Sequence, residues 1–286
     1  MRTVARHDFD APNAESGAKR IFARRQDARE DIETDRRGPG YALDRSYDEF
    51  AYRCGGDPRA AENETWLALT RALQAGGALF LAGTRPEGEE VEFRFGDEVI
   101  RRPATGPTVD TDAPNWLKTA YLAIVARDQP RLDLLADVPI EQLREAAPEY
   151  DDYLFDWVRA LQLHIRNGPD LIDTVLAAMR GTEPDVLQHS VPEAVLQLHY
   201  PPIELFYLYT QREEGKFSDS LVTALELHKR FWTADPERPR SPASIVALAP
   251  LAMACLARDA GMTVDVESDY LPHHLLTGTR VGEITI

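Results

Sequence analysis

The chain has 286 residues, 43% hydrophobic and 28% charged, with a formal net charge of -16 and a pI of about 4.9. That is enough length and apolar content for a substantial core in a single domain spanning residues 1–286, while so anionic a field argues against nucleic acid or an anionic membrane as a direct partner. Two cysteines, Cys54 and Cys255, rule out a disulfide framework; with no apolar signal segment at the N-terminus and no stretch read as membrane-spanning, the chain is expected in the cytoplasm.

The charge is uneven. Residues 1–59 carry 12 basic and 12 acidic side chains, so the deficit falls on residues 60–286. Residues 1–40 read as a loosely packed arm: between 14 and 36 the only large apolar positions are Ile21, Phe22 and Ile32, which support no more than a weak helix, and Arg37-Gly38-Pro39-Gly40 breaks it. From Leu43, the positions Tyr47, Phe50, Ala51 and Cys54 recur at helical spacing. A stronger helix follows over 66–81, where Gly76-Gly77 signals either a close helix contact or a local weakness. Val91, Phe93 and Phe95 then alternate with polar residues, and Gly96-Asp97 supplies a two-residue turn, so one small β-hairpin is predicted near residues 91–102 as an ornament on a helical body.

Further helices are predicted over 116–127, 131–135, 140–146 and 150–165. Later starts are signalled by cap chemistry at Thr182 with Asp185, at Ser190 with Glu193, by Pro201-Pro202 ahead of Ile203, and by Ser218 before a helix over 221–232. Residues 245–257 carry no charge and are apolar all round, which marks a core helix interrupted by Pro250. Its ending, Ala257-Arg258-Asp259, repeats Ala126-Arg127-Asp128 at the end of the 116–127 helix. Beyond Gly261, the alternation at Val264 and Val266 predicts an extended segment over 263–268. The fold class is therefore all-α: antiparallel helical hairpins in an irregular solenoid-like array, with one hairpin of β structure.

Signatures of chemistry are missing. There is no His-Glu-x-x-His, Cys-x-x-Cys or Gly-x-Ser-x-Gly, and Gly83 to Gly88 lacks the lysine of a phosphate loop and is rich in glutamate. His273 and His274 on an extended segment would point in opposite directions, so no metal site, cofactor or catalytic residue is expected. His164 and His228 lie on or beside apolar helix faces and read as partly buried, hydrogen-bonded histidines. What remains is binding. Besides the pair Glu213-Glu214, two acidic groups are the candidates: Glu149, Asp151, Asp152 and Asp156 about the start of one helix, and Asp265, Glu267 and Asp269, with Tyr270 beside them, where a period of 2 places three carboxylates on one face. Acids in a first helical turn also complement the helix dipole; three acids on one strand face need solvent, an internal arginine or a basic partner.

The closing segment, Pro250 to Gly261 followed by Val264 to Pro272, resembles that of the immunity protein 49 family of bacterial polymorphic toxin systems. The likeness extends through Arg6-His7-Asp8-Phe9, Ala104 to Pro107, Asn115-Trp116-Leu117, Asp152-Tyr153 with Trp157-Val158, Tyr200 to Ile203, and His228-Lys229 with Trp232-Thr233. It implies an all-helical cytoplasmic protein without catalytic residues that binds a cognate toxin domain, in such systems often a nuclease and therefore basic. A helical scaffold for a peptide or regulatory protein is the alternative.

Overall fold

The computed structural model describes residues 2–147 and 149–283. It opens with a two-residue strand, β1 (Arg2–Thr3), and two helices, α1 (Ala11–Ala23) and α2 (Arg25–Thr34). Residues 14–36, read as one weak helix, form these two because small side chains make the contacts. Ala14 and Ala18 are buried, and Gly17 approaches Tyr52 so closely that a Cβ would lie 2.8 Å from its ring. Helix α3 (Gly38–Gly56) starts within the Gly-Pro-Gly predicted to be a break. Pro39 lies in its first turn, where no N–H is needed, and a Cβ on Gly38 would lie 1.9 Å from the carbonyl oxygen of Asp31.

Helix α4 (Asn63–Thr84) is followed by the predicted hairpin, β2 (Glu90–Phe95) and β3 (Glu98–Pro103), antiparallel with Phe95 opposite Glu98. Gly96 takes φ 61° in the turn. The hairpin is more than an ornament. Ile100 is fully buried, the Gly96 N–H donates to Gln74 Oε1 on α4 at 2.8 Å, and the Arg102 guanidinium donates to the carbonyls of Ile32 and Asp35. It clamps the end of α2 against α4.

Then come α5 (Ala113–Ala126), capped by Asp112, α6 (Gln129–Ala136), α7 (Ile140–Ala146), α8 (Asp152–Arg166) and α9 (Leu171–Arg180). A short α10 (Pro192–Ala194) runs through a π-helical turn, Val195–His199, into α11 (Tyr200–Thr210). The widened turn has a cause in the sequence. Pro201 and Pro202 cannot donate to the preceding turn and their rings crowd it, so the Tyr200 N–H bonds five residues back, to the carbonyl of Val195. Helix α12 (Glu214–Trp232) begins ahead of the predicted Ser218 start. The chain closes with α13 (Leu248–Asp259), the two-residue β4 (Val266–Glu267) and α14 (His273–Thr277).

As predicted, α13 is the core helix, with Leu251 to Cys255 fully buried. Pro250 does not interrupt it, because it is the third helical residue and its missing N–H lies among the four that need no intrahelical partner. The 18-residue window Pro242–Asp259, with mean hydropathy 1.3, is long and apolar enough to cross a membrane by composition, but 67% of it is buried inside the protein.

Neighbouring helices pair as hairpins, α3 with α4, α8 with α9 and α11 with α12, and the array also closes on itself. Helix α13 packs on α5 and α11, and β1 pairs in parallel with β4, Arg2 opposite Val266. The two Ala-Arg-Asp endings thereby meet: Arg127 Nε donates to Asp259 Oδ2 at 2.9 Å and Arg127 Nη2 to Asp259 Oδ1 at 3.1 Å.

Gly76-Gly77 marks close packing rather than weakness. A Cβ on Gly76 would lie 2.4 Å from Oγ1 and 2.6 Å from Cγ2 of Thr119 on α5, whose hydroxyl is tied to the Asn115 carbonyl at 2.8 Å. Gly76→Ala should therefore destabilise by about 2 kcal/mol despite the ~1 kcal/mol that alanine gains in helix propensity. Gly215→Ala in α12, where a Cβ meets nothing within 4 Å, should stay within about 1 kcal/mol of the parent. Urea unfolding of both variants is the check, and equal midpoints would contradict the close-contact reading.

Candidate functional site

The two acidic groups sit on different elements. In the first, Glu149 and Asp152 are exposed at the entry to α8, and Asp152 receives a hydrogen bond from Arg144 Nη1 at 2.7 Å. Asp156, one turn on, is half-buried, and its pKa is raised by burial first and then by the charge of Asp152. Asp151 is different in kind. It is buried, and its carboxylate accepts the backbone N–H groups of Gln188 at 2.7 Å, His189 at 3.2 Å and Ser190 at 2.8 Å. Burial alone would raise its pKa; the hydrogen bonds from Ser190, Gln188 and His189 outweigh burial and leave it lowered.

Asp151 is thus the anchor of the loop between α9 and α10 rather than a solvent-facing contact. It also explains why Thr182 and Asp185 start no helix. The N–H groups just downstream are captured by a carboxylate more than thirty residues away, and the segment stays in turns. That loop holds what the sequence reading missed: Val186 and Val191 are 51% and 64% exposed, beside the exposed acids Glu183 and Asp185. Val186 and Val191 are therefore candidate contact residues on a loop held by a buried carboxylate. The one signal available in the sequence was Val186, Leu187 and Val191 in a stretch otherwise polar and broken by prolines.

The second group keeps the predicted geometry. Asp265, Glu267 and Asp269 are exposed, while Val266 and Tyr270 point inward. Only Val266–Glu267 pairs as strand, on β1. An internal arginine does approach: the pKa of Arg6 is lowered by burial, and the nearby charge of Asp269 opposes the shift. Tyr270 is no part of the exposed face. It is fully buried, its hydroxyl accepts the His7 N–H at 3.2 Å and lies 2.7 Å from His7 Nδ1, and its ring meets His228 edge-on at 4.9 Å. Parity already contained that answer, since Tyr270 falls with Val264 and Val266 and opposite the three acids.

Among the described residues, no group of three or more His, Cys, Asp or Glu is placed to hold a metal ion. His273 and His274 open helix α14 rather than lying on an extended segment, and His274 Nδ1 is 3.1 Å from Thr279 Oγ1. His228 is buried with Nε2 3.1 Å from the Ser244 carbonyl, as read from the sequence. His164 is half-buried, edge-on to Phe206 and Tyr209. Burial pushes the Cys255 thiol up to about 12 and raises that of Cys54, the opposite of an activated nucleophile.

A frame of helices that presents carboxylates and valines suits recognition. The comparison with known families bears directly on this: the model of immunity protein 49 matches residues 57–275, most of the chain. The chain belongs to that family. The matched span contains every segment of the sequence resemblance except Arg6 to Phe9, and it covers both acidic groups and the α9–α10 loop; helices α1, α2 and α3 precede it. No curated protein and no solved structure matches the chain.

Proposed function

We propose that this protein protects its cell by binding a cognate toxin domain directly and stoichiometrically in the cytoplasm, without catalysis. Membership of an immunity protein family, over residues 57–275, carries the proposal. The charge of -16 supports a basic toxin, of which a nuclease is the commonest kind. Carboxylates can stand where nucleic acid phosphates would lie, and an anionic surface speeds encounter with a basic partner. The contact would use Glu149, Asp152 and Asp156 beside Val186 and Val191, and Asp265, Glu267 and Asp269 as a second charged face. Asp151 would act by holding the α9–α10 loop, and Tyr270 by holding the 265–269 segment from within.

The test is survival of cells that express a candidate toxin domain taken from the genes nearest to this one, with and without this protein, followed by co-purification. Rescue with a 1:1 complex is expected. No rescue by soluble, folded protein would count against the reading for that toxin, and capture of a peptide or regulator in its place would favour the scaffold alternative.

Charge should act mainly on association. Glu149→Gln, Asp152→Asn, Glu267→Gln and Asp269→Asn combined should slow binding by about 10-fold at low salt, with little effect near 1 M salt, where the Debye length is about 3 Å. Stopped-flow association at several salt concentrations reads this out, and a rate that ignores both salt and the substitutions would remove the carboxylates from the interface.

A further inference from the structure

Against an acidic body, one concavity is lined by arginines. A cavity of ≈ 540 Å³ lies between the end of α1, helix α2, helix α4 and the turn of the β2–β3 hairpin, with Arg25, Arg29, Arg71 and Arg94 in its wall. It adjoins a smaller one of ≈ 160 Å³ that shares Arg25 and Arg71 and adds Arg20, Arg24 and Arg45. The acids in the larger wall are Asp97 and Glu98. Glu98 is engaged by Arg29, with Nε 2.6 Å from Oε2, which leaves Asp97 as the other acid of the wall, facing Arg25 and Arg94.

Its floor holds two polar side chains that the protein itself leaves incomplete. Arg71 is 8% and Gln74 1% exposed. Arg71 Nη2 donates to the buried Glu49 at 2.8 Å, which also takes Arg53 Nε at 2.8 Å. That pairing fixes the guanidinium, yet its Nε has no hydrogen-bond partner, and neither has Gln74 Nε2. A buried donor left unmet costs about 1–3 kcal/mol, and two beside one cavity are better explained by a ligand than by chance. At the rim, Phe22 is 37% exposed, and the guanidinium carbons of Arg25 and Arg71 lie 4.3 Å and 5.3 Å from its ring centroid. Arg25 and Arg94 are exposed, and neither has an ion-pair partner among the described residues.

We propose that this cavity is a binding site for a small multiply charged oxyanion ligand, carrying phosphate or carboxylate groups. Fixed guanidiniums give charge-assisted, directional hydrogen bonds to such groups, and the volume falls in the range of small-molecule sites. A small ligand fits better than a polyanion. Nucleic acid would extend over a body of net charge -16, whereas a compact anion in the cavity is screened from most of that charge beyond a Debye length of about 8 Å. Bound there, the ligand would bridge α2, α4 and the hairpin, and so brace α2 against the family-matched region. This site is independent of toxin binding.

The experiment titrates the whole protein with inorganic pyrophosphate and, separately, with citrate at constant ionic strength, by calorimetry and thermal unfolding. Saturable one-site binding with a raised Tm is expected for at least one of them, and the preferred anion separates a phosphate from a carboxylate ligand. Arg25→Ala combined with Arg94→Ala, both exposed, should weaken that binding by about 10-fold or more, while Arg230→Ala on α12 leaves it unchanged; circular dichroism verifies that each variant is folded. Binding of neither anion at millimolar concentration, or equal binding by the double variant, overturns the proposal. Toxin rescue by the same proteins is scored separately, so failure of one reading is distinguishable from failure of the other.

Discussion

Arg127→Ala should lower the free energy of unfolding by about 3 kcal/mol, since hydrogen bonds from a charged, largely buried group are worth ~1.5–3 kcal/mol each before their losses overlap. The guanidinium donates to both oxygens of Asp259 and to the carbonyls of Leu275 at 2.6 Å and Leu276 at 2.9 Å. It thus ties the ends of α5, α13 and α14 together. The side chain is 17% exposed, so water can replace little of this. Arg127 also holds φ 57° at the end of α5, which separates backbone from side-chain effects: Arg127→Gly should recover about 1 kcal/mol relative to alanine and remain well below the parent. Asp259 is 46% exposed, so Asp259→Asn should cost only ~1 kcal/mol. Urea unfolding of the three variants decides the matter, and an Arg127→Ala protein within 1 kcal/mol of the parent would deny the residue this role.

The second large effect is a dependence on acid. Burial lowers the pKa of His228 to about 4 from an ordinary value of about 6.5, and lowers that of His7. Between those two values the unfolded chain binds a proton that the folded chain refuses, so the neutral histidine's contribution is full above pH 6.5 and is lost as pH falls toward 4. For His228 the loss is roughly 2–3 kcal/mol by pH 4.5. Asp48 works in the opposite direction. Burial and the charge of Asp44 raise its pKa to about 6, so the folded state takes up a proton there first and gains relative stability as pH falls from 6 toward the ordinary carboxylate range. The informative quantity is therefore a difference: relative to His228→Phe, the parent should lose about 2–3 kcal/mol between pH 7 and pH 4.5. Parallel stability profiles for the two proteins would show that His228 does not titrate in this window.

Features generated by local pattern were legible in the sequence. The alternation at Val91, Phe93 and Phe95 with Gly96-Asp97 found the hairpin, the uncharged run found the core helix, and the apolar surroundings of His228 found a buried histidine. Features generated by distant partners were not. The hydrogen bonds from Gln188, His189 and Ser190 to Asp151 cancel a helix start that looks sound locally, and the glycine contacts of Gly17 and Gly38 make firm helices from a segment poor in large apolar residues. In the candidate site, the period-2 face of Asp265, Glu267 and Asp269 was readable. Asp151 was misplaced because a first-turn acid looks the same whether it faces solvent or a loop. The arginine cavity was invisible because its arginines come from three elements far apart in sequence and are neutralised in any running sum of charge.

The pairing of Arg2–Thr3 with Val266–Glu267 has a temporal consequence. Synthesised at about 5–20 residues per second, the first strand must wait roughly 15–50 s for its partner to be made. Until then Tyr270 is missing from beside His7 and α13 from beside α5, so the early helices have an open apolar flank on the ribosome. The array therefore closes late: these contacts of β1 and α5 wait until residues 248–276 have been made.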